Sequence, residues 1–185
     1  MTFYIHCDGS CYNHPDHNTV GYAAVLSEVV DPLMTEVLRT KTGWEREGTN
    51  NTAEWLALLA GMELMMEYDK EKNIMYDHYV IFTDSQLIAG QANGEMRVRD
   101  RNLMGYYAEY LALEKQTNSG AGHYPICFDI KWISRRQNRA ADAYSKLVNP
   151  YFKEKIKNEL RPKQSTSEVQ DIREFQGTHV RKNQG

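Results

Sequence analysis

Four acidic residues lie where a carboxylate is costly to keep ionised unless a cation faces it. Asp8 and Asp84 each follow a strand-like run, Glu54 lies near the start of a helical pattern, and Asp142 lies between two alanines. Mg²⁺ prefers oxygen ligands, and two such ions about 3.5–4 Å apart can clamp the attacking and leaving oxygens of a phosphoryl displacement. We therefore predict that the four carboxylates bind two Mg²⁺ ions, for which Mn²⁺ can substitute, and that the reaction is cleavage of a nucleic acid.

The opposing interpretation is that each acid is a helix cap or a surface charge, which is the commoner role of a single acid. The four contexts taken together favour a shared site. Carboxylates held close together repel one another, and a shared cation removes that repulsion.

Three strands are predicted before the first helix. The first runs from Phe3 to Asp8, and the polar stretch Ser10–Asn18 after it is predicted to be an exposed loop. Residues 20–26 and 35–42 are predicted to form the second and third strands, which pair antiparallel across a short connection.

The hydrophobic pattern then changes to a helical period. Residues 50–54 open a helix, for which Asn51 is the predicted N-cap, and its apolar stripe comprises Trp55, Leu58, Leu59, Met62, Met65 and Met66. The later predicted elements are a doubly buried strand at 78–84, helices at 85–92 and 102–116, a strand at 126–133, and a helix at 138–148. The buried side of this last helix is predicted to hold Ala140, Ala141, Tyr144, Leu147 and Val148.

This order predicts an α/β fold with a mixed five-stranded sheet, in which an antiparallel meander is followed by parallel strands and helices flank the sheet. If the fourth strand lies beside the first, Asp8 and Asp84 follow neighbouring parallel strands. The carboxyl ends of such strands are where open α/β sheets bind ligands.

The composition is that of one soluble globular domain, with 41% hydrophobic and 25% charged residues. We predict a catalytic domain at 1–149 and a polar extension at 150–185, which is partly helical and then weakly structured. The extension carries a net charge of +3 from residue 151 onward, and the preceding residues carry −6. Three cysteines suit reduced thiols, and no apolar run or signal pattern indicates a membrane or export, so a cytoplasmic location is expected.

Four ordered motifs resemble those of type 1 ribonuclease H. They are Asp8-Gly9-Ser10, Asn50-Asn51-Thr52-Ala53-Glu54, Thr83-Asp84-Ser85-Gln86-Leu87 and Asn138-Arg139-Ala140-Ala141-Asp142. The pattern is most similar to the compact archaeal- and plant-like branch, and it covers residues 3 to about 148. The resemblance implies a ribonuclease H-like fold and an endonuclease that hydrolyses the RNA strand of RNA/DNA hybrids with two metal ions, leaving 5′-phosphate and 3′-hydroxyl ends.

The resemblance also implies roles for individual residues. Asp8 would bridge both ions, Glu54 and Asp84 would complete the shell of one, and Asp142 would help to hold the other. The residues implied to contact substrate are Gly9, Ser10, Asn13, Thr49, Asn50, Asn51, Ser85, Gln86, Arg135, Arg136 and Asn138. The partner implied is an RNA/DNA hybrid, with double-stranded RNA left open, and no obligate protein partner is evident.

Two departures from the family pattern concern substrate binding. The connection at 95–101 is short, where many relatives carry a basic protrusion, and its three arginines either contact phosphates or form a solvated turn. The loop before the last helix has no histidine, and Arg135 or Arg136 could bind the scissile phosphate instead.

Two other functions remain open at this stage. The first alternative is a non-catalytic module that binds hybrids or double-stranded RNA. Such a module has no reason to keep four mutually repelling acids. DNA strand transfer on the same fold is the third possibility, and it would be expected to bring flanking DNA-binding domains.

Overall fold

The computed structural model describes residues 1–13, 18–32, 36–73, 78–119 and 125–159. The strands are β1 (Thr2–Asn13), β2 (Asn18–Ser27), β3 (Val37–Glu45), β4 (His78–Thr83) and β5 (Cys127–Trp132). The helices are α1 (Asn50–Lys72), α2 (Gln86–Ala92), α3 (Arg101–Ser119), α4 (Arg139–Val148) and α5 (Pro150–Glu159), and a 3₁₀ turn at Arg135–Gln137 precedes α4. None of the helices in these ranges is long and apolar enough to cross a bilayer.

The five strands form one mixed sheet in the order β3-β2-β1-β4-β5. The β1–β2 and β2–β3 pairs are antiparallel, whereas the β1–β4 and β4–β5 pairs are parallel. The predicted fold class is confirmed, and the fourth strand does lie beside the first.

The prediction for the end of β1 is wrong. The strand does not stop at Asp8 but continues to Asn13, because Gly9 to Asn13 pair antiparallel with β2. Ser10 is therefore buried within the sheet rather than part of an exposed loop, and residues 14–17 of that predicted loop lie outside the described residues. In this polar half of the strand Ser10 is buried, Gly9, Cys11 and Tyr12 are half-buried, and Asn13 is exposed, so the sequence lacks the apolar alternation by which a strand is predicted.

Helix α1 packs on one face of the sheet and forms the centre of the apolar core. The predicted stripe is confirmed, since Trp55, Leu58, Met62 and Met65 are fully buried. The predicted N-cap is wrong: the helix begins at Asn50, and the cap is Thr49, whose side chain accepts a hydrogen bond from the backbone N–H of Thr52. Glu54 consequently follows the first helical turn.

Helix α4 packs on the opposite face, against β1, β2 and β3. Its predicted buried side is only half right. Ala140 and Ala141 are buried, but Leu147 is 43% exposed, and Ser145 is fully buried in its place. The helix is rotated so that polar residues face the sheet, which a search for an apolar stripe does not detect.

Candidate active site

Three of the four predicted carboxylates converge. One side-chain oxygen from each of Asp8, Glu54 and Asp84 lies within 4.8 Å of those of the other two. Asp8 is buried, while Glu54 and Asp84 are half-buried. Mg²⁺ binds oxygens at about 2.0–2.1 Å in an octahedron, so its ligand oxygens lie about 3–4 Å apart, close to the spacing of this cluster.

The sheet places Asp8 and Asp84 next to each other. The parallel pairing of β1 with β4 ends at Cys7 and Thr83. Asp8 directly follows Cys7 and Asp84 directly follows Thr83, so the two aspartates lie side by side. Because β4 stops at Thr83 whereas β1 continues to Asn13, β1 has no β4 neighbour beyond this point. Side chains from both faces of the sheet can meet in that gap.

Helix α1 reaches this gap because residue 9 is a glycine. A Cβ atom at Gly9 would collide with the backbone of Ala53 and would lie only 2.5 Å from the backbone nitrogen of Glu54. Any larger residue would therefore push the start of α1 away from β1. The close approach carries Glu54 to the carboxylates of the two strands.

The carboxyl group of Glu54 is strongly perturbed. Burial, followed by the charges of Asp8 and Asp84, raises the pKa of Glu54 to about 9, although Arg135 and a hydrogen bond from the Gly9 backbone oppose the rise. Its Oε2 atom is buried without a hydrogen-bond partner among the described residues. A buried acceptor of this kind is costly unless another ligand, such as a cation, satisfies it.

Burial likewise raises the pKa of Asp8 to about 7, with smaller contributions from Asp84 and Asp142. A hydrogen bond opposes that rise: the hydroxyl of Ser145 lies 2.7 Å from Oδ2 of Asp8. Burial also raises the pKa of Asp84, against the favourable charge of Arg135. The main chain of Asp84 is fixed in part by the Trp132 indole, which donates to its carbonyl oxygen at 3.0 Å.

The fourth carboxylate, Asp142, lies outside the three-carboxylate cluster. Its Oδ2 is 2.6 Å from Nζ of Lys146, one helical turn later, and its Oδ1 is 3.4 Å from Nη2 of Arg135. Arg135 also approaches Oδ2 of Asp84 at 3.9 Å, so its guanidinium group lies between the two acids. Three of the four side chains predicted to share ions are therefore close together, whereas Lys146 and Arg135 hold Asp142 at the edge of the cluster. That these residues bind ions stays a prediction.

The donor set fits a hard divalent cation. Three carboxylates that are buried or half-buried, mutually repelling and grouped within 4.8 Å provide the oxygen ligands that Mg²⁺ and Mn²⁺ prefer. The unpartnered Oε2 of Glu54 is the atom that an ion would satisfy most directly.

Several residues predicted to contact substrate are accessible at this end of the sheet. Thr49 and Asn50 are exposed where α1 begins, Gln86 is exposed at the start of α2, and Asn13 is exposed at the end of β1. The exposed Arg135 lies against the carboxylates, and the exposed Arg136 lines a separate pocket with Asp31, Ser134, Gln137 and Arg139. Three further residues of the predicted substrate-contact set are half-buried: Gly9, Asn51 and Ser85.

Two predicted substrate contacts are buried instead. Asn138 is fully buried, and its side-chain amide donates to the backbone oxygen of Cys7 at 2.9 Å. Ser10 is 7% exposed, and its hydroxyl donates to the backbone oxygen of Ser145 at 2.9 Å. Both residues join α4 to β1.

Sequence reasoning missed Ser145 and Lys146, each of which bonds one of the acids. Both positions carried a signal, because residues three and four positions after Asp142 lie on the same side of a helix. A helix that presents Asp142 to the sheet must present Ser145 as well. Apolar periodicity alone does not reveal this polar, sheet-facing side of α4.

The sequence pattern described as reverse-transcriptase-like matches residues 6–148. The N-terminal RNase H domain of a Mycobacterium tuberculosis protein, solved as a fusion with maltose-binding protein, is 23% identical, with 84% of this chain and 98% of that chain covered and a TM-score of 0.59. RNase H1 from the halophilic archaeon Halobacterium salinarum is 21% identical, with 80% and 97% covered and a TM-score of 0.60. LC11-RNase H1 in complex with an RNA/DNA hybrid is 21% identical, with 77% and 92% covered and a TM-score of 0.58. At these identities the likeness shows the fold.

Proposed function

This chain belongs to the reverse-transcriptase-like family, within the RNase H-like superfamily, and we propose that it is a metal-dependent endoribonuclease acting on RNA/DNA hybrids. The observation that carries the proposal is the group of carboxylate oxygens from Asp8, Glu54 and Asp84 within 4.8 Å of one another. A protein that only binds nucleic acid gains nothing from this repulsion, whereas a metal-dependent nuclease requires such ligands.

In the proposed reaction a water oxygen forms a bond to phosphorus, and the bond from phosphorus to the 3′ oxygen breaks. The products are a 5′-phosphate and a 3′-hydroxyl. Asp8, Glu54 and Asp84 would hold one Mg²⁺ ion, and Asp142 with Asp8 would hold the second, with Mn²⁺ as a substitute for either. Bound ions would stabilise the charge that develops on the attacking and leaving oxygens.

Arg135 is the residue that we assign to the scissile phosphate. Its side chain is 72% exposed and lies within 4 Å of both Asp84 and Asp142, so its guanidinium group is already at the cluster. A planar guanidinium can donate two parallel hydrogen bonds to phosphate oxygens. Turning from Asp142 toward a phosphate would release that carboxylate for the second ion.

The RNA strand of a hybrid is the proposed substrate because an A-like helix displays 2′-hydroxyls in a wide, shallow minor groove. The side chains at the starts of α1 and α2 include three that are polar and exposed, namely Thr49, Asn50 and Gln86. Each can donate hydrogen bonds to such hydroxyls and accept hydrogen bonds from them. One similar structure, LC11-RNase H1, was solved in complex with an RNA/DNA hybrid, which supports this choice of substrate.

A strand-labelled cleavage assay tests the proposal. Hybrid, double-stranded RNA and double-stranded DNA of one sequence are each incubated with the full chain in Mg²⁺, in Mn²⁺ and in EDTA. We expect cleavage of the RNA strand of the hybrid in either metal, none in EDTA, and none of double-stranded DNA.

The matched variants are Asp84→Asn and Asp129→Asn. Asp129 is an exposed aspartate on β5 that lies near His78 and Lys131, away from the cluster. Asp84→Asn should abolish cleavage, and Asp129→Asn should retain it. Tight hybrid binding without cleavage in either metal would instead identify a non-catalytic binding module and overturn the proposal.

A further inference from the structure

Ser145 is fully buried on the sheet-facing side of α4, three residues after Asp142. Its Oγ lies 2.7 Å from Oδ2 of Asp8 and 3.1 Å from the backbone oxygen of Asp142. A serine hydroxyl has one proton to donate, and the shorter contact is to the Asp8 carboxylate. The two bonded residues are 137 positions apart in the chain.

We propose that Ser145 is a positioning residue that orients the carboxylate of Asp8 for metal binding, an inference that rests on the proposed function. A hydrogen bond to the outer side of a metal-ligating carboxylate restricts its rotation and directs its remaining lone pairs toward the ion. The bond also joins Asp8 to the helix that carries Asp142. Among the contacts between β1 and α4 described above, this bond reaches the Asp8 carboxylate itself.

The main chain at Ser145 is itself held in place. Its backbone oxygen accepts a hydrogen bond from the Ser10 hydroxyl at 2.9 Å. The same oxygen lies directly over Gly21 of β2, where a Cβ atom would collide with it. Because the sheet fixes this turn of α4, the point from which the Ser145 hydroxyl reaches Asp8 is fixed as well.

A purely structural role for Ser145 predicts a different pattern of effects. A serine within a helix often bonds the carbonyl of the preceding turn, which would satisfy Ser145 through Asp142 alone. Loss of the hydroxyl would then change stability without changing the affinity for metal. The bond to Asp8 instead predicts that loss of the hydroxyl lowers the affinity for metal.

The test measures Mn²⁺ binding to the nucleic-acid-free full chain by isothermal titration calorimetry for wild type, Ser145→Ala and Asn149→Ala. Asn149 is the matched control, because it is fully buried in the same helix-to-sheet contact but donates to the backbone oxygen of Thr19. Thermal unfolding of each variant is recorded in parallel. Removal of a residue that orients a metal ligand typically weakens metal affinity about 10–100-fold.

We expect Ser145→Ala to weaken Mn²⁺ binding about 10-fold or more, with Asn149→Ala within about 2-fold of wild type. The Mn²⁺ concentration for half-maximal hybrid cleavage should rise by the same factor, while KM for the hybrid stays unchanged because Ser145 is buried. Ser145→Cys, a weaker donor of similar size, should be intermediate, and it replaces Ser145→Ala if that variant does not fold.

Equal affinity in wild type and Ser145→Ala, or equal losses in Ser145→Ala and Asn149→Ala, would overturn the inference while leaving the nuclease proposal intact. Failure of the wild-type chain to bind Mn²⁺ at all would instead refute the proposed function, and the inference with it. The two failures are therefore distinguishable in one set of titrations.

Discussion

The two faces of the sheet are held to their helices by different kinds of contact. On the α1 face, Phe3, Ile5 and Cys7 of β1 belong to the large apolar cluster that surrounds Trp55 and Leu58. On the α4 face the apolar cluster is small, with Val25, Ala140 and Ala141 as its buried members.

Strand β1 shows the contrast residue by residue, because successive side chains point to opposite faces. The alternate residues of β1 face the other side, and three of them are buried and polar: His6, Asp8 and Ser10. Side-chain hydrogen bonds from Ser10 and Ser145 link β1 to α4. Burial of apolar area is non-directional, whereas hydrogen bonds fix distance and angle. The α1 face therefore supplies most of the stability and brings Glu54 to the site, whereas the hydrogen bonds of the α4 face orient Asp8 and place Asp142.

The largest expected effect comes from the apolar face. Leu58→Ala removes a fully buried side chain of α1 and should lower the free energy of unfolding by about 2–5 kcal/mol. Urea denaturation measures the loss, and the folded fraction should bind Mn²⁺ as wild type does. The control Leu111→Ala truncates a side chain that is 43% exposed and should cost about 0.5 kcal/mol or less. Similar costs for the two variants would refute the assignment of stability to this face.

A substitution on the α4 face should have a smaller effect on stability and a larger effect on hybrid cleavage than a substitution on the α1 face. Asn138→Ala leaves the buried backbone oxygen of Cys7 without its side-chain donor and should cost about 1–3 kcal/mol. Because Asn138 also precedes the first turn of α4, we expect hybrid cleavage by the folded protein to fall at least 10-fold. Thr117→Ala is the control, since it removes a buried hydroxyl from α3, away from the site. Unchanged cleavage by Asn138→Ala would show that the polar contacts do not set the geometry.

The carboxylate cluster makes a prediction about pH. The pKa values of Glu54 and Asp8 are raised to about 9 and about 7, so the folded metal-free protein binds more protons than the unfolded chain above the usual carboxyl pKa. Stability then falls as pH rises, by about 1 kcal/mol per pH unit.

The window from about pH 7.5 to 8.5 lies about one pH unit above the pKa of an ordinary histidine, and burial lowers the pKa of His6 further. Chemical denaturation in EDTA measures the slope within this window. Both Glu54→Gln and saturating Mg²⁺ should flatten it. A slope in EDTA that is the same for wild type and Glu54→Gln would contradict the assignment to this cluster.

The smallest effect on stability is expected at Lys146. Lys146→Met removes the closest cation from Asp142 in a half-buried i,i+4 pair at the surface, which should cost less than about 1 kcal/mol. The freed carboxylate should lower the Mg²⁺ concentration for half-maximal hybrid cleavage. Lys153→Met, at an exposed position of α5, is the control. A requirement for more Mg²⁺ would show that Lys146 assists the site rather than competing for Asp142.

Much of the fold follows from local patterns. The order of strands and helices, the apolar stripe of α1 and the position of Asp84 just after β4 all rest on residues within a few positions of each other. The missed features depend on neighbours far along the chain. Pairing with β2 extends β1 beyond Asp8, and packing of α4 turns Leu147 outward and Ser145 inward.

The sequence by itself determined the predicted order of local elements and indicated the acidic residues that the proposed chemistry would use. Periodicity and short-range preferences are properties of adjacent residues, so they can be read without knowing the fold. Only the tertiary structure decided that Ser145 bonds Asp8 and that Lys146 and Arg135 hold Asp142 beside the other acids. The rotation of α4 on the sheet is set by a few buried hydrogen bonds, and no pattern along the chain encodes their geometry.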